Sequence, residues 1–179
     1  MQIHDKHFKP FITAPQIQER VSELGKQISQ DYAGKNPMFI VILNGAIVFA
    51  SDLFRSVSVP CTLETMSAKS YGSQTTSSGT VTVGAHIPNV HGRHVILVED
   101  IVDTGLTLQR VTEVLQQQHP ESITIAALLS KPAMHKTKLH LPYICFDIPP
   151  AFVVGYGLDY AEHGRNLPDI YVLDEEHTL

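Results

Sequence analysis

Short apolar runs alternate with amphipathic stretches through most of the chain. The runs at 38–43 and 95–99 are continuous and rich in β-branched residues, which predicts strands buried on both faces of a sheet. Apolar residues at helical spacing, with Thr13 as a cap before the first of them, predict helices at 14–34, 47–54 and 106–118. Weaker apolar segments predict further strands at 63–69, 80–83, 123–129, 144–148, 152–157 and 169–173.

The alternation of strands and helices predicts the α/β class, with a mainly parallel sheet and helices on both of its faces. Ligands of such sheets bind beyond the carboxyl ends of the strands. The strand ends at Asn44, Glu99 and Lys131 are therefore expected to meet in one crevice. Because neither a repeat nor a linker divides the 179 residues, a single domain spanning 1–179 is expected.

Composition narrows the classes of protein that the chain can represent. Hydrophobic residues make up 43% of the chain and charged residues 17%, so a disordered chain is not expected. An apolar run long enough to span a membrane is missing from the sequence. The net charge of −5 argues against a general nucleic-acid binder. Two distant cysteines, Cys61 and Cys145, are expected to be buried thiols of a cytoplasmic protein.

Side chains suited to ligand binding are concentrated at residues 99–107, where a predicted strand is followed by acids, a Thr-Gly turn and the start of a predicted helix. A helix N-terminus attracts anions, Gly105 allows close backbone approach, and Thr104 and Thr107 add hydroxyls, so the loop suits a 5′-phosphate. Glu99 and Asp100 suit a ribose diol or Mg²⁺. Since the Gly-Lys pair of nucleoside-triphosphate loops is absent, a phosphate monoester fits better than ATP. The alternative is that Asp103 is only a helix cap and that Glu99 and Asp100 are the solvated end of a strand.

Three other features suggest binding functions, each with a plain structural alternative. The turn at Asn44-Gly45 opens a predicted helix, so it is either a second anion site or an ordinary strand-to-helix turn. The polar segment from Ser70 to Gly79 is either a lid over a substrate or a disordered hairpin tip. Lys131 directly follows a predicted strand and is either a ligand donor or a surface lysine.

The sequence EDIVDTGLTL at 99–108 resembles the phosphoribosyl-diphosphate motif of the type I phosphoribosyltransferases, and its wording is similar to the hypoxanthine-guanine branch. Further matches, including FVVGYGLDY at 152–160, run in the family's order from Leu43 to Arg165. The resemblance implies that the sheet carries a small hood and a flexible lid loop. It also implies Mg²⁺ as cofactor, an oxopurine and phosphoribosyl diphosphate as substrates, and a homodimer or homotetramer that binds no nucleic acid and no membrane.

The resemblance assigns roles to individual residues of this chain. Asp103 is the implied general base at the purine N7. The implied phosphoribosyl-binding residues are Glu99, Asp100, Thr104, Gly105, Leu106 and Thr107. The implied pyrophosphate-binding residues are Asn44, Gly45 and Arg165, and the implied lid residues are Ser70 and Tyr71. The implied purine-binding residues are Lys131, Phe152, Val153 and Asp159, and the implied Mg²⁺ ligands are Glu99, Asp100 and Asp159.

One position departs from the pattern of this family. The pyrophosphate turn usually carries a basic side chain, often after a cis peptide bond, and this chain has Asn44 there. The backbone donors survive this change, but the side-chain charge does not. The sequence leaves open whether the Leu43–Asn44 bond is cis.

The reaction predicted by these matches joins hypoxanthine, and guanine as well, to phosphoribosyl diphosphate, giving IMP or GMP and pyrophosphate. The ranking of hypoxanthine, guanine and xanthine stays open, because such bases are distinguished by single hydrogen bonds. A different class is also possible: a regulator that senses phosphoribosyl diphosphate and binds RNA or DNA. Both classes need the loop at 99–107, whereas the purine-facing residues Lys131, Phe152 and Asp159 favour the enzyme.

Overall fold

A computed structural model describes residues 1–71 and 80–175 of the chain. The helices are α1 (Ala14–Asp31), α2 (Ile47–Ser56) and α3 (Leu106–Gln116), with a 3-10 turn at Pro132–Met134. The strands are β1 (Gln2–Ile3), β2 (Lys6–Ile12), β3 (Met38–Leu43), β4 (Thr62–Tyr71), β5 (Thr80–Val83), β6 (His94–Val102), β7 (Ser122–Ser130), β8 (Tyr143–Asp147), β9 (Val153–Val154) and β10 (Ile170–Leu173). Across these described ranges, none of the helices is both long and apolar enough to cross a membrane.

The central sheet has six strands in the order β5-β4-β3-β6-β7-β8, and all of its neighbouring pairs are parallel except β4 with β5. Successive side chains of β3 and β6 point to opposite faces, as the pleat of a strand requires. Phe39 and Ile96 join the core beneath α1 and α2, whereas Ile40 and Leu97 join the core beneath α3. The prediction of a mainly parallel sheet with helices on both faces is confirmed.

A smaller antiparallel sheet, in the order β1-β2-β10-β9, forms the hood of the molecule. The pattern of hydrophobic residues did not predict β1 and β2. Only Phe8 and Ile12 of β2 are buried, Pro10 interrupts the strand, and a half-exposed strand of this kind gives no apolar run. The hydrophobic pattern therefore predicted the two later strands of this sheet, without assigning them to the hood, and missed the first two.

Several predicted boundaries differ from the structure. The strand predicted at 152–157 ends at Val154, because Gly155, Tyr156 and Gly157 all adopt positive φ values of 107°, 50° and 103°. β6 continues past Glu99 to Val102, so the acidic pair lies within the strand. The helices predicted to reach 34 and 118 end at 31 and 116.

The predicted lid falls largely outside the part of the chain that the structure describes. Ser70 and Tyr71 are the last two residues of β4 and pair with Val81 and Thr80 of β5. Residues 72–79, which hold most of the predicted lid, lie outside the described residues. The assignment of Ser70 and Tyr71 to a lid stays a prediction.

Candidate active site

A cavity of about 580 Å³ opens at the carboxyl ends of β3 and β6. It is bounded by the end of β6, the loop that leads into α3, the turn after β3 and the segment that follows β9. The lining includes ten of the residues predicted from the sequence: Gly45, Glu99, Asp100, Asp103, Thr104, Gly105, Leu106, Thr107, Asp159 and Arg165. Residues distant in sequence thus meet at the edge of the sheet where parallel strands place their ligands.

The loop at 103–107 presents the N-terminus of α3 to the cavity. Gly105 caps the helix with φ of +82°, a conformation that glycine adopts without steric cost. The first intrahelical hydrogen bond runs from Gln109 N–H to Gly105 O at 2.9 Å, so the amides before Gln109 have no partner within the helix. The Lys136 N–H holds the loop from behind by donating to Thr104 O at 2.9 Å. The arrangement suits an anion such as a phosphate.

Two adjacent carboxyl groups lie at the floor of the cavity. Glu99 is buried, and burial together with the neighbouring Asp100 raises the pKa of Glu99 well above its ordinary value. Burial likewise raises the pKa of Asp100, although Arg165 acts in the opposite direction. Asp100 Oδ1 accepts a hydrogen bond from the Ile101 N–H at 2.8 Å. Two acids held together in this way are destabilised unless a cation or a hydrogen-bond donor compensates them.

This acidic pair fits Mg²⁺, which prefers hard oxygen ligands. Within residues 1–71 and 80–175, no group of three or more His, Cys, Asp or Glu side chains converges to hold a metal ion. Mg²⁺ is commonly bound through one or two carboxylates, with water and substrate oxygens completing its shell. Glu99 and Asp100 match that pattern. Asp159, the third predicted ligand, is bonded to Arg165 Nη2 at 2.7 Å and to the Glu162 N–H at 2.8 Å.

Asp103 lies at the mouth of the cavity beside Lys131. Lys131 Nζ is 3.6 Å from Asp103 Oδ2. The Asp103 side chain is 49% exposed as a whole, yet its Oδ1 atom is sheltered and has no hydrogen-bond partner among the described residues. Because the side chain lines the cavity and is half exposed, its carboxylate is available as a proton acceptor.

The opposite wall of the cavity is formed by the turn after β3. The Leu43–Asn44 peptide bond is cis. A β-carbon at position 45 would overlap the carboxylate of Asp100, so only glycine lets this turn approach the acidic pair. Asn44 itself is exposed and does not line the cavity. Arg165 Nη1 donates to Gly157 O at 2.8 Å, which holds the guanidinium at the cavity wall.

Of the four residues predicted to bind purine, Asp159 lines the cavity and the other three do not. Lys131, Phe152 and Val153 do not line the cavity itself, although Lys131 reaches it through Asp103. Val153 is buried in the core. Phe152 is 42% exposed and lies in the hood, where its ring centroid is 6.2 Å from that of Phe8 and 5.7 Å from that of Tyr160.

The sequence of the chain matches those of known proteins. Residues 11–161 match the family model described as phosphoribosyl transferase domain. Over 169 residues the chain is 46% identical to the hypoxanthine-guanine phosphoribosyltransferase of Dictyostelium discoideum, covering 92% of this chain and 94% of that protein. The chain belongs to the hypoxanthine-guanine phosphoribosyltransferase family.

Solved structures of phosphoribosyltransferases share the fold. A hypoxanthine phosphoribosyltransferase from Staphylococcus aureus superposes with a TM-score of 0.88 at 38% identity, covering 94% of this chain and 92% of that one. A Trypanosoma cruzi hypoxanthine phosphoribosyl transferase, studied for the role of its C-terminal region in oligomeric state and activity, gives a TM-score of 0.87 at 36% identity over 98% of this chain and 96% of that one. The chain is therefore a transferase enzyme, and the regulator alternative is not supported.

The sequence did not reveal every residue that shapes this phosphoribosyltransferase site. Phe8 and Tyr160 enclose Phe152, and Lys6 Nζ lies 5.6 Å from the centroid of the Phe152 ring. The hydrophobic pattern did not point to Lys6 or Phe8, since both belong to a strand without an apolar run. Thr137, whose Oγ1 would meet a β-carbon at Gly105, comes from an irregular segment with no recognisable pattern.

Proposed function

We propose that this enzyme converts hypoxanthine, and guanine as well, to IMP and GMP in purine salvage, using phosphoribosyl diphosphate and releasing pyrophosphate. The observation that supports the proposal is the cavity in which a helix N-terminus, a buried acidic pair and Asp103, itself paired with Lys131, meet. The names of the relatives, hypoxanthine-guanine and hypoxanthine phosphoribosyltransferases, point to the same substrates.

Each part of the substrate has a matching set of groups. The amides and hydroxyls at 104–107 bind the 5′-phosphate, and Glu99 and Asp100 face the ribose hydroxyls. Gly45 and Arg165 bind the pyrophosphate, with Asn44 contributing backbone groups only. Lys131 donates a hydrogen bond to the six-position oxygen of the base. The other purine-binding residues are Phe152, Val153 and Asp159.

The chemical step needs charge stabilisation and a proton acceptor. Displacement at the anomeric carbon builds positive charge on the sugar, which the carboxylates at 99–100 stabilise. Asp103, whose side chain lines the cavity, accepts the N7 proton of the attacking base. Mg²⁺ bound through Glu99 and Asp100, with Asp159 as a further ligand, would neutralise charge on the leaving pyrophosphate.

Base selection is tested by nucleotide formation from hypoxanthine, guanine, xanthine and adenine, with and without Mg²⁺. We expect Mg²⁺-dependent product from hypoxanthine and guanine but not from adenine, because Lys131 donates and adenine offers a donor at position six. Lys131→Met should lower kcat/KM for hypoxanthine by about 10- to 100-fold, the cost of a lost charged hydrogen bond. Lys138→Met, at an exposed position, is the control. Adenine used as well as hypoxanthine would refute this role for Lys131.

The proposal includes three broader assignments. Assembly as a homodimer or homotetramer is supported by the study of oligomeric state in the Trypanosoma cruzi relative. A cytoplasmic location is supported by the two free thiols, of which Cys145 is buried and Cys61 only partly buried. A single domain spanning 1–179 is supported by the family match at 11–161.

A further inference from the structure

Tyr156 adopts a backbone conformation that residues with a β-carbon disfavour. Its φ is +50°, and it lies between Gly155 and Gly157, whose φ values are +107° and +103°. Bulky residues rarely adopt such a conformation, and where they do the surrounding structure must hold them in place. Tyr156 is buried, so the contacts that hold it are internal.

The Tyr156 hydroxyl supplies such a contact. It donates a hydrogen bond to Asp52 Oδ2 at 2.7 Å, and Gln18 Nε2 donates to the same oxygen at 2.9 Å. Asp52 lies in α2, the helix that begins directly after the turn at Gly45. The hydrogen bond therefore ties the segment after β9 to the helix behind the pyrophosphate turn. We call Tyr156, Asp52 and Gln18 the tyrosine brace.

The residue after Tyr156 contacts both walls of the proposed pyrophosphate site. The Gly157 N–H donates to Arg165 O at 2.9 Å, and Arg165 Nη1 donates back to Gly157 O at 2.8 Å. On its other side, Gly157 packs so closely on Gly45 that a β-carbon at position 157 would overlap Gly45 O. A shift of this turn would thus displace Arg165 and Gly45 together.

We propose that the tyrosine brace positions Arg165 and the Gly45 turn for the pyrophosphate group of the substrate. Tyr156 and Asp52 are positioning residues, since neither lines the cavity. This inference rests on the proposed function, and it concerns only the pyrophosphate end of the site. The loop at 103–107, which binds the 5′-phosphate, does not contact the brace through any described hydrogen bond.

The chain offers a matched control for this contact. The Tyr143 hydroxyl donates to Asp31 Oδ2 at 2.7 Å, linking β8 to α1, and Tyr143 is as buried as Tyr156. Neither Tyr143 nor Asp31 lines the cavity. Tyr143→Phe therefore removes a comparable tyrosine–aspartate hydrogen bond at a place where the inference expects no effect on ligand binding.

The test measures binding of pyrophosphate and of IMP by calorimetry in the presence of Mg²⁺, together with KM for phosphoribosyl diphosphate. In Tyr156→Phe, we expect pyrophosphate Kd and KM for phosphoribosyl diphosphate to rise about tenfold, the effect of losing one buried hydrogen bond. IMP, which lacks pyrophosphate, should bind within about twofold of wild type, and Tyr143→Phe should change neither ligand. Asp52→Asn, which keeps an acceptor oxygen, should bind pyrophosphate more nearly like wild type than Asp52→Ala does.

The remaining outcomes either overturn the inference or separate it from the proposed function. If pyrophosphate binding is unchanged in folded Tyr156→Phe, or falls equally in Tyr143→Phe, the inference is wrong. Should Tyr156→Phe not fold, Asp52→Ala removes the same hydrogen bond, and normal pyrophosphate binding in that variant also overturns the inference. A wild-type enzyme that binds pyrophosphate yet forms no nucleotide would refute the proposed function alone, because the binding measurements still test the brace.

Discussion

At the scale of single residues, Glu99 destabilises the folded protein at a position where the proposed chemistry needs a carboxyl group. Its carboxyl group is buried beside Asp100, and both conditions disfavour the charged form. Sequence could identify the acidic pair as a ribose or metal site, because the two acids interrupt an apolar run. Sequence could not show that β6 carries both acids within the strand, where the Glu99 side chain is buried.

The pH dependence of stability follows from this burial. The pKa of Glu99 in the folded protein lies above its unfolded value of about 4.5, so the folded state binds more protons and stability falls as pH rises between the two values. Glu99→Gln removes the charge, and at pH 7 it should raise the Tm of the metal-free protein, on the order of 2–4 °C. The gain should fade as pH falls towards 4.5, which thermal unfolding across pH would reveal.

Glu121→Gln, at an exposed position, is the control and should leave Tm nearly unchanged. A lower Tm for Glu99→Gln at pH 7 would contradict the view that burial destabilises this carboxylate. Glu99→Gln should also lose Mg²⁺-dependent activity, since an amide is a weaker ligand than a carboxylate.

At the level of elements, the strongest sequence signals gave the correct structure. The strands β3 and β6 and the helices α1 and α3 have long, regular patterns, and their prediction is confirmed apart from boundaries. The hood was harder to predict, because β2 buries only two side chains. Positive φ at Gly155 to Gly157 ended the strand predicted there, a consequence of tertiary contacts that no local pattern records.

The hood offers a prediction at this scale. Phe8 is 2% exposed and packs against Phe152, whereas Phe11 of the same strand is 36% exposed. Phe8→Ala should lower the free energy of unfolding by about 3–5 kcal/mol, and Phe11→Ala by less than about 1 kcal/mol, as measured in urea. Because Phe8 supports Phe152, we also expect KM for hypoxanthine to rise more than KM for phosphoribosyl diphosphate. Equal changes in the two KM values would argue against a purine-binding role for Phe152.

For the whole molecule, the site is assembled from segments far apart in the chain. The sequence identified each segment separately and, through the strand ends, the edge of the sheet where they meet. It could not give the pairings between them, such as Lys131 with Asp103 or Tyr156 with Asp52, because such contacts depend on packing across the sheet. The resemblance to phosphoribosyltransferases supplied roles that no spacing implies.

The measurement that tests the account most directly compares wild type and Asp103→Asn in IMP formation from hypoxanthine, alongside the Kd for phosphoribosyl diphosphate. Asp103→Asn should lower kcat by about 100-fold or more, the usual worth of a general base, while the Kd changes only a few-fold. Asp147→Asn, exposed on β8, should match wild type in both. A near-normal kcat in Asp103→Asn would remove Asp103 from its role, and a wild-type enzyme that forms no IMP would refute the proposed reaction.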